Sequence, residues 1–136
     1  MTTPPSAFPD VEKLVVDVLK ADPALAGVTV AAQAPAGFDG TQSAVLVNRR
    51  GGAWIGDLHL DKPLVEFEVY AATKPAAHLL ANAARKALLD KIGKPLGNSL
   101  VQDVEEMDGP RWMPDYLYRG ANRYLVVIQV SLTVNP

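Results

Sequence analysis

Two segments of the chain have apolar residues at helical spacing. The first stripe begins at Val11 and continues through Leu14, Val15, Val18 and Leu19, which is one face of an amphipathic helix. Asp22-Pro23 is expected to end this helix. The second stripe consists of Ala77, Leu80, Ala84 and Leu88. Thr73 is its expected N-cap and Gly93 its expected end. The pattern therefore predicts two α-helices separated by about fifty residues of other structure.

The segment between the helices has the composition of strands. A short apolar run at 28–30 predicts one strand, and 44–48 predicts another that continues into the sequence RRGGAW at 49–54. A returning strand is expected at 58–72, so the pair forms a long protruding hairpin. Three glycines and two arginines near 49–56 predict that its tip is mobile and basic. The apolar positions change parity near Lys62-Pro63, which predicts a bulge or an edge position there.

Two further strands are predicted after the second helix. Residues 100–107 form a strand with an acidic end, and Asp108-Gly109-Pro110 is expected to turn the chain. Residues 124–134 alternate strictly between apolar and other positions over most of their length, which is typical of a long strand with one buried face. The predicted order is α-β-β-β-α-β-β. It favours an α+β fold, with a mainly antiparallel sheet backed by two helices.

Length and charge narrow the class of protein. The 136 residues are expected to form a single domain, with a loose lead at 1–8. No cysteine is present, so neither disulfides nor thiolate metal sites are available. A net charge of -2 disfavours a protein that mainly neutralises phosphates. No segment resembles a signal peptide or a membrane span. We therefore expect a soluble protein of a reducing compartment with no membrane partner.

Two sets of residues are candidates for catalysis. Asp57, His59 and Asp61 would share one face of a strand and could bind a metal or serve a small-molecule enzyme. Glu66 and Glu68 would also share a face, and paired carboxylates can divide acid and base roles. Solvated or subunit-facing acidic residues explain both patterns better. We therefore expect no catalytic residue, no metal and no cofactor, and keep the enzyme as an alternative.

The sequence RWMPDYLYRGANRY at 111–124 concentrates arginine and aromatic residues. Its aromatic residues could be ordinary side chains at the edge of the core. It could also bind nucleic acid, although the acidic residues nearby would repel phosphates. Contact with a protein fits best, because tyrosine, tryptophan and arginine dominate binding hot spots. The predicted subunit interface pairs two acidic strand positions with this loop, and it consists of Glu66, Glu68, Arg111, Trp112, Tyr116, Tyr118, Arg119 and Arg123.

The order of elements and several segments resemble a known family. The segments are NRRGG at 48–52, DKPLVEFEVYAA at 61–72, AAHLLA at 76–81 and ALL at 87–89. Together they resemble the tail terminator proteins of long-tailed bacteriophages, which are small tail-completion or head-to-tail joining subunits. The resemblance extends from about residue 10 to residue 134, and the block at 61–89 carries most of it.

The resemblance implies a structural virion protein that is not an enzyme. Tail terminators form a six-fold ring that caps the tail tube, ends its polymerisation and offers its other side to the neck of the filled head. The implied partners are further copies of the chain in a homohexameric ring, the tail tube protein and a head-completion or neck protein. No sequence-specific nucleic-acid binding is implied. The implied location is the tail-neck junction of the virion, after assembly in the host cytoplasm. From their chemistry, Arg49, Arg50 and Trp54 are predicted to contact the tube or the neck.

Overall fold

A computed structural model of the protein describes residues 4–118 and 120–134. Two α-helices lie at Val11–Ala21 (α1) and Lys74–Leu89 (α2). The strands are β1 (Thr29–Ala31), β2 (Ala44–Ile55), β3 (Leu60–Tyr70), β4 (Pro95–Leu96), β5 (Ser99–Trp112) and β6 (Arg123–Thr133). The α+β class predicted from the sequence is confirmed, and the two-residue strand β4 is an addition to the predicted order.

Side chains cap both helices at their N-termini, and Thr73 does so as predicted. The Asp10 side chain accepts a hydrogen bond from the Lys13 backbone N–H at the start of α1, and the Thr73 hydroxyl accepts one from the Ala76 N–H at the start of α2. These bonds satisfy backbone donors that the first turn of a helix leaves unpaired. Asp22 ends α1 as predicted. Helix α2 ends earlier than predicted, because its C-cap is Asp90 and Gly93 lies in the turn that follows.

All six strands form one sheet in the order β1-β2-β3-β6-β5-β4. Strand β1 is parallel to β2 and every other pair is antiparallel. Both helices pack against the sheet and against each other, so the sheet has a helix-covered face and an open face. The helix-covered face carries the main core, which includes Val15, Leu19, Val45, Val47, Val65, Phe67, Val69, Leu88, Val126, Ile128, Val130 and Leu132.

The β2–β3 hairpin forms, but its turn lies further along the chain than predicted. Strand β2 continues through the RRGGAW segment to Ile55, and the turn occupies 56–59. Strand β3 keeps one register with β6 from Leu60 to Tyr70, so the distal part of the hairpin belongs to the same sheet. The predicted irregularity exists, but it lies on β2 between Arg49 and Gly52, opposite Pro63. The predicted tip near 49–56 is therefore wrong for residues 49–55, which belong to β2.

The outer edges of the long strands β2 and β5 are paired with another strand only at one end. Strand β1 pairs with the start of β2, and β4 pairs with the first two residues of β5. Strand β5 pairs with β6 through three register shifts along its length. The predicted turn at Asp108-Gly109-Pro110 is wrong, because these residues belong to β5, which continues to Trp112. Bulges absorb the extra residues there, so the glycine and proline do not end the strand.

Candidate functional site

A buried polar cluster lies on the open face of the sheet. Its members are Glu68 and Tyr70 of β3, Asp115 of the loop that connects β5 to β6, and Arg123 of β6. The Tyr70 hydroxyl lies 2.7 Å from Asp115 Oδ2 and 3.0 Å from Glu68 Oε2. Arg123 Nη1 lies 3.2 Å from Glu68 Oε2 and 3.4 Å from Asp115 Oδ2. We call these four residues the tyrosine–carboxylate cluster.

Two members of the cluster, Tyr70 and Asp115, are buried, whereas Glu68 and Arg123 are half-buried and all four border a depression on the open face. Tyr70 is 1% exposed and Asp115 is 9% exposed. Asn48 Nδ2 donates a further hydrogen bond to Glu68 Oε1 at 3.0 Å. The pKa of Tyr70 is raised well above its ordinary value, first because burial disfavours the phenolate and then because the hydroxyl donates to Asp115. The tyrosine is therefore a neutral hydrogen-bond donor to a carboxylate pair that Arg123 bridges.

The cluster ties the described part of the β5–β6 loop, residues 113–118 and 120–122, to the sheet. Asp115 Oδ1 accepts from the Leu117 N–H at 3.0 Å, and its backbone carbonyl accepts from the N–H groups of Tyr118 and Gly120. At the base of the loop, Arg123 Nε donates to the Met113 carbonyl oxygen. A single buried aspartate thus organises the loop through its carboxylate and its backbone carbonyl and, through Tyr70, ties it to β3.

Aromatic packing holds the same loop from its other side. The Tyr118 ring meets the rings of Phe38 and Tyr70 edge to face, with centroids 5.1 and 6.0 Å away. Phe38 and Tyr70 also contact each other edge to face at 4.9 Å. Such pairs add to the burial of their apolar area. The loop before β2 and the loop after β5 are therefore packed together over one end of the open face.

The tip of this rigid loop is apolar and exposed. Tyr116 is 88% exposed and Leu117 is 81% exposed, the two largest values among the large apolar or aromatic residues of the described chain. We call these two residues the knob. Large exposed apolar groups on an ordered loop are typical of contact surfaces. The sequence predicted Tyr116 as an interface residue, and its exposure is consistent with that prediction.

A second ion pair lies on the open face at the β2 bulge. Arg50 Nη1 donates to Glu66 Oε2 at 2.5 Å, and Glu66 is 6% exposed. The pKa of Glu66 is raised, first by burial and also by the nearby charge of Glu68, although Arg50 opposes both effects. The pair borders a shallow depression lined by Leu64, Arg111, Met113, Leu125 and Val127.

On the helix-covered face, Arg49 is fixed by three elements. Its guanidinium makes two hydrogen bonds of 3.1 Å to Asp61, which is 1% exposed, and its backbone N–H donates to Glu12 of α1 at 2.8 Å. Trp54 packs edge to face on Phe8 with a centroid distance of 5.7 Å. Its indole Nε1 is buried, and no hydrogen-bond partner for it lies among the described residues. Arg49, Arg50 and Trp54, which were predicted to meet the tube or neck, therefore all lie in β2. Each contacts another side chain of the same chain.

The catalytic arrangement considered from the sequence does not form as predicted. Asp57 lies in the 3-10 turn at 56–58, and His59 follows it in the left-handed region at φ 52°. Only Asp61 of the three lies in a strand, where Arg49 occupies its carboxylate. The expectation of one shared strand face is wrong, because the chain turns at these residues. Within 4–118 and 120–134, no group of three or more histidine and acidic side chains is placed to hold a metal ion.

The predicted interface residues separate into several environments. Glu68 and Arg123 meet each other within the chain, and Glu66 meets Arg50. Trp112 belongs to the helix-covered side, where it packs on Tyr124 and under the Lys74 ammonium, 4.4 Å from its centroid. Arg111 is exposed and pairs with Asp108. Arg119 lies outside the described residues. Glu68 and Arg123, which were predicted to meet across an interface between copies, thus meet within one chain.

Sequence reasoning missed the residues that organise the site. In the sequence Asp115 is one of several acidic residues near the loop, and no local pattern assigns Tyr70 or Asn48 to a site. Tyr70 and Asp115 are 45 positions apart, so no local spacing links them. One signal was present: Tyr70 occupies the same alternating face of β3 as Glu66 and Glu68, and a tyrosine buried beside acids needs an acceptor for its hydroxyl.

Comparison with known protein families identifies the family of the chain. The family model for the phage tail termination protein matches residues 7–121. The chain belongs to this family. Membership makes it a structural component of a phage tail and of the virion, and the resemblance found from the sequence is confirmed. The match covers both helices and most of the sheet, including the knob and three of the four cluster residues. A search of curated proteins gave no match.

No helix of the described residues has the length and apolar character that a membrane crossing requires.

Proposed function

We propose that the protein forms a closed ring on the end of the phage tail tube, stops tube polymerisation there and presents its other side to the neck of the filled head. The observation that carries this proposal is the family match over residues 7–121, on a chain that folds as one sheet backed by two helices. The ring is taken to be six-fold, as the family resemblance implies. The proposed partners are copies of the same chain, the tail tube protein and a head-completion protein.

The organisation of the polar residues supports a structural role and not a catalytic one. The carboxylates of Asp115 and Asp61 are buried and that of Glu68 is half-buried, and all three accept hydrogen bonds from donors of the same chain. In an active site such groups would instead be free to react with a bound substrate. Here the charged groups tie loops and strands to one another. We therefore propose that the chain has no enzymatic activity and works by presenting rigid surfaces.

A ring of one chain requires two different surfaces on each copy, because the contact is head to tail and must close. The open face, the β5–β6 loop and the sheet ends are the parts of the described chain that the helices leave uncovered. These parts include Arg111 and Tyr116, which remain our candidates for subunit contact. Arg50 and Trp54 remain candidates for contact with the tube or neck, provided that the ring presents the distal end of the hairpin.

The proposal is tested by measuring assembly and tube length together. The mass of the purified protein is measured by sedimentation and native mass spectrometry, alone and in the presence of tail tubes assembled in vitro. The protein is then added to tube protein during polymerisation, and tube lengths are measured by electron microscopy. We expect a ring mass, either free or on tube ends, and tubes that stop growing once the protein is bound. Tubes that keep growing at a saturating amount of folded protein would exclude the terminator function proposed here.

A further inference from the structure

The β5–β6 loop is held in place by buried contacts although its tip is exposed to solvent. Exposing Tyr116 and Leu117 gives the free chain no stability, yet Tyr70, Asp115 and Arg123 are committed to holding the loop in place. A binding element that is ordered before contact loses less entropy when it binds. The knob therefore has the properties of a docking element that is ordered before it binds.

A groove lies at the opposite end of the same two strands. It is lined by Ala7, Phe8, Pro9, Asp10, Lys13, Leu14, Gly97, Asn98, Ser99 and Val134. Ser99 begins β5 and Val134 follows β6, whereas the knob lies in the connection between them. At about 3.3 Å per residue, the 11 residues of β6 separate the two sites by roughly 35 Å. The knob and the groove of one chain are thus too far apart to meet each other.

The chemistry of the groove matches the knob. Phe8, Pro9 and Leu14 offer an apolar wall for the Leu117 side chain, and Asp10, Asn98 and Ser99 offer polar atoms among them. A tyrosine entering such a place needs a partner for its hydroxyl as its ring becomes buried. The groove has a volume of about 370 Å³, near the lower limit for small-molecule pockets, and therefore suits one or two side chains better than a large ligand.

The sheet edges are poorer candidates for contact between copies. Strand β5 has three register shifts, and its outer positions include Asp103 and Glu105, which are exposed. Strand β2 is interrupted by its own bulge at Arg49 to Gly52. Bulges and charges on an edge strand discourage pairing with another strand. This leaves the knob and the groove as unlike, complementary surfaces at opposite ends of each chain.

We propose that the knob, Tyr116 and Leu117, inserts into the groove around Phe8, Leu14 and Asn98 of a second copy of this chain. The proposal rests on the ring proposed above and names its subunit contact. The knob of each copy would bind one neighbour, and its groove would receive the knob of the other neighbour. This is the head-to-tail relationship that a closed ring of one chain requires.

Cross-linking tests this contact directly, because the chain has no cysteine that could react elsewhere. The variant Leu117→Cys with Asn98→Cys is treated with a short bifunctional maleimide under conditions in which the wild type has its assembled mass. The matched control is Leu79→Cys with Asn98→Cys, since Leu79 is 70% exposed on α2. We expect a ladder of covalent oligomers up to the ring for the first variant, and monomers for the control. Co-expressed single variants, Leu117→Cys and Asn98→Cys, should give cross-linked species no larger than dimers.

Assembly of the charged variants gives a second readout. Leu117→Asp should lower the assembled fraction at least tenfold, whereas Leu79→Asp should leave it unchanged, with thermal unfolding used to confirm that both remain folded. A ring of full mass without cross-linking, or with assembly unaffected by Leu117→Asp, would overturn this contact while the ring itself stands. If the wild type assembled neither alone nor on tube ends, the proposed ring would be excluded and this contact with it.

Discussion

Arg123 Nη1 lies 3.2 Å from Glu68 Oε2 within one chain. Arg123 of the arginine-rich segment and Glu68 of the acidic strand face therefore compensate each other inside the subunit. Reversing the charge at Arg123 would leave Glu68 and Asp115 without their bridging cation in a mostly buried site. The variant Arg123→Glu is consequently expected to destabilise the monomer. It cannot serve as a clean probe of assembly, and the exposed side chains of the knob are better probes.

The tyrosine–carboxylate cluster predicts the effect of removing one hydroxyl. Tyr70→Phe should cost about 1 to 3 kcal/mol of unfolding free energy, because Asp115 and Glu68 lose a buried donor. The β5–β6 loop should loosen, so the amides of Leu117, Tyr118 and Gly120 should exchange hydrogen faster than those of β3. Urea unfolding and hydrogen exchange measure the two effects. Phe38→Leu is the control, because it removes an aromatic contact of the same loop and no hydrogen bond. Unchanged exchange in Tyr70→Phe would mean that the hydroxyl does not hold the loop.

The ion pair between Arg49 and Asp61 predicts that the losses of unfolding free energy caused by mutating the two residues do not add. Arg49→Met should cost about 3 kcal/mol, because it leaves the carboxylate of Asp61 buried and uncompensated. The double variant Arg49→Met with Asp61→Leu should recover much of that loss, since both charges are gone. Denaturant unfolding of the two single variants and the double variant gives the coupling energy. Simple additivity within about 0.5 kcal/mol would indicate that the pair is not coupled.

The raised pKa of Glu66 predicts a trend of stability with pH. Because its pKa is higher in the folded chain than in the unfolded chain, the folded state holds a proton that the unfolded state has already lost. Its contribution is present below the ordinary glutamate pKa and is lost as pH rises through the folded value. The unfolding free energy of Glu66→Gln relative to wild type should therefore increase as pH is raised from about 4 to 7. A difference that stays constant across this range would contradict the shift.

Two neighbouring glycines in the β2 bulge should respond very differently to alanine. Both have positive φ angles, 89° at Gly51 and 97° at Gly52. A Cβ at Gly52 would overlap the Lys62 backbone carbonyl oxygen, whereas one at Gly51 would meet no atom within 4 Å. Gly51→Ala should cost about 1 to 2 kcal/mol, from backbone strain alone. Gly52→Ala should cost clearly more, because the strand pair must also move apart. Thermal unfolding of the two variants would show equal losses if the close approach at Gly52 were absent.

The sequence predicted those features that local chemistry determines. The Thr73 cap of α2 and the alternation along β6 are read directly from neighbouring residues. The continuation of β2 through RRGGAW was missed, because glycine and arginine favour a turn when considered alone. In the folded chain Asp61 and Glu66 of the next strand compensate the two arginines, and Pro63 lies opposite the bulge. The tyrosine–carboxylate cluster was missed for the same reason, since its partners come from distant segments.

The uneven edges of the sheet have a consequence for a protein that ends the growth of a polymer. A long flat strand left unpaired would recruit further copies without limit, and the chain would then build fibres of its own. The bulges of β2 and β5, with their charged side chains, make such open-ended addition unfavourable. A subunit with the proposed role of halting tube elongation thereby avoids starting fibres of its own.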